Sequence, residues 1–389
     1  MTDAPGGGPT VRLFRNDREA SFVSRPNRFV ILAEAEGETL RCHCPNPGRM
    51  EELLSPGSAL ILERRSSPGA TGWTAAAVRY KDSVVPLYSA RANDAAAALV
   101  LPRLFPGALR VEREVAIGSS RFDFRVTDAA GVLHAVEVKA CSLVERGTAL
   151  FPDAPSERAG RHLRELAELS ERGYRSCVLF VVLHGRPRLF APNAHTDPAF
   201  AAELLRSSPS VAVRAALIAA DETGSARLAE EALPVDLSPG ELAAENRGSY
   251  CVAVELAGPE RIEVGALGTI DFPAGRYVYC GSAQRNLAQR TARHARRTRK
   301  KIRWHLDYLT PYASRIDTYP IASWENLECR LAEALREAGG TPVPRFGSSD
   351  CRCPSHLYRF GADGAARRRV LEVILAARHE WSFGPVRKG

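Results

Sequence analysis

The 389 residues are enough for two or three domains, and with 45% hydrophobic and 25% charged they have the balance of a folded globular chain rather than a disordered one. No apolar run reaches the ~18 residues of a membrane span, and nine cysteines, an odd number scattered from Cys42 to Cys353, read as reduced thiols rather than a disulfide framework. The net charge of +8 lies wholly in the last part of the chain, since residues 1–240 hold 29 basic and 29 acidic groups and residues 241–389 hold 24 and 16. A cytoplasmic protein with no membrane partner is expected, with a polyanion as the natural partner of its C-terminal part.

Residues 1–10 are small, Gly- and Pro-rich and predicted to be disordered. From Val11 to about Leu87 the pattern is one of short strands. Residues 28–33 and 39–44 flank a hairpin turn, 59–64 follow, and 75–87 form an interrupted run, which predicts a small barrel or sandwich. In Cys42-His43-Cys44 the strand period puts both thiols opposite His43, so a shared metal is not expected. Pro45-Asn46-Pro47-Gly48-Arg49-Met50 must turn tightly. Asn46, Arg49 and the backbone amides there can meet a phosphate, or the turn is simply a corner leading into a helix over 50–54. Residues 92–104 read as a helical run ending near Pro106-Gly107.

The stretch from Val111 to Lys139 carries the chemistry. Phe122, Phe124 and Val126 alternate with Arg121, Asp123 and Arg125, and Val136 and Val138 alternate with Glu137 and Lys139, the signature of half-buried strands. Asp123, Glu137 and Lys139 are therefore expected on faces away from the core. Asp128 to Gly131 supplies a turn, so an antiparallel hairpin brings the two carboxylates side by side. Adjacent carboxylates repel unless a cation lies between them, and hard oxygen ligands suit Mg2+ or Mn2+. Lys139 would then orient an attacking water or stabilise charge developing on a phosphate. The competing reading is a solvated sheet face with a cross-strand ion pair.

After a loop over 140–154, residues 156–172 have one apolar helical face, Leu163, Leu166, Ala167 and Leu169, with Glu157, Arg158, Arg161, His162 and Glu165 mostly away from it and Gly173 as the stop. Residues 177–183 form an apolar strand of the kind buried on both faces. Three strands, a helix and a strand make an α/β core with the helix over the sheet that carries Asp123 and Glu137.

Taken together, His43 to Met50, Arg121-Phe-Asp-Phe, Glu137-Val-Lys139, Phe151-Pro-Asp-Ala154, Glu157-Arg158 and Arg161-His-Leu-Arg-Glu165 resemble the sugar fermentation stimulation protein (SfsA) family over roughly residues 11–237. The resemblance implies an OB-like nucleic-acid-binding β-barrel over 11–88 and a PD-(D/E)xK-type α/β nuclease over 89–237. It implies catalytic roles for Asp123, Glu137 and Lys139, metal binding by Asp123 and Glu137, and Glu114 as a possible additional acid. Asn46, Arg49 and Arg121 are the candidate nucleic-acid contacts of this half. The family name leaves open a DNA-binding regulator of sugar metabolism with vestigial active sites.

Residues 238–247 have the composition of a linker, and a new strand pattern opens at Gly248. This second half resembles a GIY-YIG-like family over 248–360, with residues 361–389 as a C-terminal helix and basic tail. Gly248-Ser-Tyr250 and Tyr279-Cys-Gly281 stand for the motif triplets. The resemblance implies catalytic roles for Tyr250, Tyr279 and Arg290 and a metal-binding role for Glu328. A basic helix over 284–300 is predicted within a segment, 284–303, that has nine basic groups and no acid. Arg293, His294, Arg296, Arg297 and Arg299 are its candidate nucleic-acid contacts, with DNA favoured and RNA possible. Asp350, Cys351, Cys353 and His356 have the residue types of a metal site, but Cys-x-Cys without a second pair reads rather as a structural loop of reduced thiols.

Overall fold

The computed structural model describes residues 8–66, 71–118, 120–185, 187–298, 300–361 and 363–382. Arg299, most of the 1–10 stretch and the basic end with Arg387 and Lys388 lie outside the described residues, while Thr10 already pairs with Arg227 in a short strand. The fold is mixed α/β, in two compact units: residues 1–193 with 199–240, and residues 194–198 with 241–389.

The first unit opens with a small β-barrel. Strands Arg18–Asn27, Val30–Ala35, Glu38–His43, Ala59–Arg64 and Trp73–Tyr80 pair in the order 38–43, 30–35, 18–27, 59–64, 73–80. A parallel contact, Cys42 to Trp73 and His43 to Thr74, joins the two ends. Closure removes the open edges that a five-stranded sheet would expose. Alternate side chains, among them Phe22, Ile31, Leu40, Cys42, Leu60 and Leu62, fill the interior. Cys42 and Cys44 are buried in it and His43 is not, as the strand period requires. Residues 50–54 are a single turn and not the expected helix; Met50 takes a left-handed φ of 49°, Arg25 donates to the carbonyls of Asn46, Gly48 and Arg49, and the Leu53 and Leu54 amides both donate to the Met50 carbonyl.

The same sheet runs on through Ser83–Pro86, Val211–Ala220, Arg175–Val182, Leu133–Cys141, Ser120–Thr127 and Arg110–Ile117. Ser120–Thr127 and Leu133–Cys141 form the expected hairpin, Thr127 opposite Leu133 and Phe124 opposite Val136, around an Asp128–Gly131 turn. The helical run Arg91–Leu104, which includes a π turn over Ala96–Val100, packs on one face of this sheet, while Glu157–Glu171 and Pro198–Ser207 pack on the other. Ser156 caps Glu157–Glu171 by accepting from the Ala159 amide at 3.2 Å, and Gly173 ends it at φ +90°.

The second unit is a five-stranded antiparallel sheet in the order Arg315–Ala322, Gly248–Leu256, Gly275–Ala283, Leu357–Phe360, Thr341–Pro342. Leu287–His294 covers one face, and Glu328–Glu337 with Gly364–Ser382 covers the other. The basic helix expected over 284–300 is only Leu287–His294, because Asp307 captures the chain beyond it. Its carboxylate, fully buried, accepts from both Arg293 nitrogens at 2.9 Å and from the Arg303 and Trp304 amides, and lies 3.4 Å from Lys300 Nζ.

Candidate active site

The end of the hairpin holds the acidic groups over a cleft of about 520 Å3. Asp123 Oδ1 accepts from Asn93 Nδ2 and Oδ2 from the Val138 amide, both at 2.7 Å. Glu137 Oε1 accepts from Lys139 Nζ and from His162 Nδ1, each at 2.5 Å. Arg158 Nε lies 3.4 Å from His162 Nε2, which assigns the ring proton to Nδ1. Glu137 Oε2 is buried and has no hydrogen-bond partner among the described residues.

Glu137 is therefore not on an open face, as its strand position predicted. It is 3% exposed because Glu157–Glu171 crosses above it and sends His162 down onto it. His162 corrects the helical reading too, since it is 3% exposed and not on the solvent side. The electrostatics separate the two acids. Burial, reinforced by repulsion from Glu137, pushes Asp123 above the ordinary aspartate range. Burial also pushes Glu137 up, but the His162 hydrogen bond and the Lys139 ammonium outweigh it and hold that carboxyl below its usual range.

Arg28, Asn46, Gly48, Ser89, Asn93 and Arg158 line the cleft with the three expected residues. Asn46 is buried, and its amide is engaged with Ser142 Oγ at 3.3 Å and the Gly48 N–H at 2.9 Å, so it shapes the wall. Gly48 allows that wall; a Cβ there would stand 2.6 Å from Asp153 Oδ2. Arg49 and Arg121 are exposed and do not line the cleft. Glu114 is also outside, exposed and 3.9 Å from Arg121. Sequence reasoning missed Asn93, thirty residues from its partner, and read His162 as lying on the solvent side of its helix.

In the second unit Tyr250, Tyr279, Arg290 and Glu328 line one cleft of about 490 Å3. Tyr250 faces Gly281 across two antiparallel strands, and a Cβ on Gly281 would meet the Tyr250 ring at 2.6 Å. The ring centres of Tyr250 and Tyr279 are 6.4 Å apart, and burial pushes both phenols up. The Tyr250 hydroxyl shares a 3.1 Å hydrogen bond with His294 Nε2. His294 is thus fully buried rather than a surface contact, and burial takes its pKa down to about 4. Arg290 and Arg293 stand 4.5 and 4.4 Å from the Trp304 ring centre. Of the expected polyanion contacts, Arg293 is committed to Asp307, Arg297 donates to the Ser314 carbonyl, and Arg296 and Arg297 are exposed.

Comparison with known proteins divides the chain in the same sense. Residues 23–87 match the SfsA N-terminal OB domain, 90–224 the sugar fermentation stimulation protein RE domain, and 249–379 the domain of unknown function DUF123. A sugar fermentation stimulation protein homolog of Pyrobaculum arsenaticum is 39% identical over 225 residues, 57% of this chain and 96% of that one. The homolog of Moorella thermoacetica is 41% identical over 199 residues, 50% of this chain and 86% of that one. Among solved structures, Pyrococcus furiosus SfsA in complex with Ca2+ aligns with a TM-score of 0.50 and 25% identity, over 58% of this chain and 99% of that one.

Proposed function

Because the chain belongs to the sugar fermentation stimulation protein family, we propose that it is a metal-dependent nuclease that hydrolyses phosphodiester bonds, with DNA the favoured substrate and RNA possible, acting in the cytoplasm. The observation that carries this is the buried Glu137 Oε2, which has no hydrogen-bond partner among the described residues in a cleft that also holds Asp123. A buried carboxylate oxygen left unpaired is costly, and a cation is the partner that would satisfy it while relieving repulsion between the two acids. The donor set fits, since carboxylates suit Mg2+ or Mn2+, and the Pyrococcus furiosus relative was solved in complex with Ca2+, a divalent ion that also favours oxygen ligands.

In this reading Asp123 and Glu137 would hold the ion, which would supply Lewis acidity toward a phosphate oxygen and toward water. The rest is done by the chain's own groups. His162 fixes the Glu137 carboxylate from one side. Lys139 keeps it ionised and presents an ammonium where negative charge grows on the phosphate. Arg28 and Arg158, both on the cleft wall, attract the backbone of the nucleic acid.

The test is cleavage of labelled single- and double-stranded DNA and RNA by the pure protein, with Mg2+, Mn2+ or a chelator, in a Glu328→Ala background that silences the second cleft. Asp123→Asn and Glu137→Gln should each abolish divalent-dependent cleavage and leave binding intact or tighter. Unchanged cleavage in either substitution would sink the assignment. The second cleft is proposed to bind nucleic acid, with Tyr250, Tyr279, Arg290 and Glu328 as a second phosphodiester site. Tyr279→Phe deletes one oxygen and keeps the ring, so it separates chemistry there from packing.

A further inference from the structure

Beside Glu328 at the margin of the second cleft, the second unit gathers four metal-ligating side chains that the sequence does not bring together. Cys329 lies in the first turn of the helix Glu328–Glu337, and Cys351, Cys353 and His356 lie in the loop before the strand Leu357–Phe360. One ligand atom from each falls within 4.8 Å of all the others. Bonds of about 2.3 Å to sulfur in a tetrahedron put ligand atoms roughly 3.7 Å apart, so small shifts suffice to close the set on one ion. The Cys-x-Cys pair of the loop is therefore joined by a further thiol, supplied twenty-two residues before Cys351 by a helix.

We propose that Cys329, Cys351, Cys353 and His356 form a structural zinc site. Three further observations point the same way. His356 Nε2 lies 3.3 Å from Cys351 Sγ while its Nδ1 lies 3.0 Å from Glu328 Oε1, so a carboxylate orients the ring with the other nitrogen toward the sulfurs. The Cys353 amide donates to Cys351 Sγ at 3.5 Å, the kind of support a metal-bound thiolate receives. A disulfide would use two of the three sulfurs and leave the third sulfur and the imidazole without a role. Binding releases the thiol protons and leaves three thiolates and a neutral imidazole around the ion.

The site has a task. Residues 343–356 have neither helix nor strand, yet Gly347, Ser349 and Asp350 from this stretch line the second cleft. A zinc ion would tie the stretch to the helix that carries Glu328. Glu328, whose Oε2 also accepts from Ser282 Oγ at 2.8 Å, then acts as a positioning residue for His356 as well as a wall of the cleft. The inference stands apart from the nuclease reading, since it needs no turnover.

The experiment uses the full chain, purified under reducing conditions. Elemental analysis should find one zinc per chain, and replacement by Co2+ should give the intense thiolate-to-cobalt charge-transfer band and the visible bands of a tetrahedral ion. Cys329→Ser and Cys351→Ser should bring zinc down to background, whereas Asp350→Asn and the Asp123→Asn, Glu137→Gln double variant should keep it. The cobalt spectrum is read on the unsubstituted chain, so a variant that fails to fold does not decide the matter. Absence of the charge-transfer band there, or full zinc in Cys329→Ser, would overturn the proposal.

Discussion

Glu137 has one oxygen saturated by two donors and the other with no hydrogen-bond partner among the described residues, and this asymmetry has a measurable pH signature. His162 and Lys139 hold the carboxyl below its usual range against the effect of burial, so it is ionised through the neutral region. His162→Ala removes the hydrogen bond that does most to lower it. The carboxyl then titrates at higher pH, and the acid limb of the kcat/KM profile should move up, with a loss of about 10- to 100-fold at neutral pH. An acid limb that stays in place would mean that His162 only fills space. Asp123 has the opposite sign. Its carboxyl is raised, so in the metal-free protein its ionisation costs stability as pH rises through the ordinary carboxyl range. Divalent binding should reverse that cost, and Mg2+ at a hundred times its Kd should stabilise the fold by about 2.7 kcal/mol. In calorimetry that shift in Tm should be present in the native chain and absent from Glu137→Gln. The acids and Lys139 were legible because strands alternate, and polar groups at fixed parity beside Phe and Val stand out. His162 was not, because a histidine at the margin of an apolar helix face reads as solvated until the sheet beneath it is known. Cys329 was invisible for a related reason, as no local pattern connects a helix's first turn to a distant loop.

At the scale of elements, the basic stretch shows how a charge run can be misread. Counted along the chain, 284–303 is uninterrupted positive charge, and a helix through it was the simple expectation. One buried acid from outside the segment, Asp307, ends that continuity by binding Arg293 and approaching Lys300. The prediction divides the arginines accordingly. Arg296→Gln with Arg297→Gln should flatten the slope of log affinity against log salt by up to about 0.9 per lost phosphate contact. Arg293→Gln should instead lower the Tm of the second unit, because it leaves a fully buried carboxylate short of its main partner. Equal slopes in all the variants would remove this segment from the nucleic-acid surface. The strands fared better than this helix, since 59–64 and the hairpin around Asp128–Gly131 fall where period and turn residues put them. The long strand Arg18–Asn27 was passed over, its mixed polar sequence offering no apolar alternation to read.

For the whole molecule, the residues of the acidic cleft all fall within 28–159, inside the first unit. A chain ending at Gly240 should therefore retain divalent-dependent cleavage and lose much of its salt-dependent affinity. Loss of cleavage in a truncated chain that still melts cooperatively would show that the second unit contributes to catalysis. The second unit is a different case, because it includes residues 194–198, so a piece beginning at Glu241 lacks five of its residues.

The walls of the acidic cleft come from two parts of the first unit. Barrel and α/β core share a single sheet, but at their junction the ladder narrows to one pair, Ala220 opposite Val84. Meanwhile an apolar cluster containing Ile61 and Ala77 on one side and Phe124 and Val136 on the other continues across it. Hydrogen-bonded rungs fix direction, whereas oily contact does not. The seam is thus apolar along most of its length and pinned at the cleft by directional bonds, Asn46 on Ser142 and the Met50 amide on Asp153, so that the two walls of the cleft keep one register.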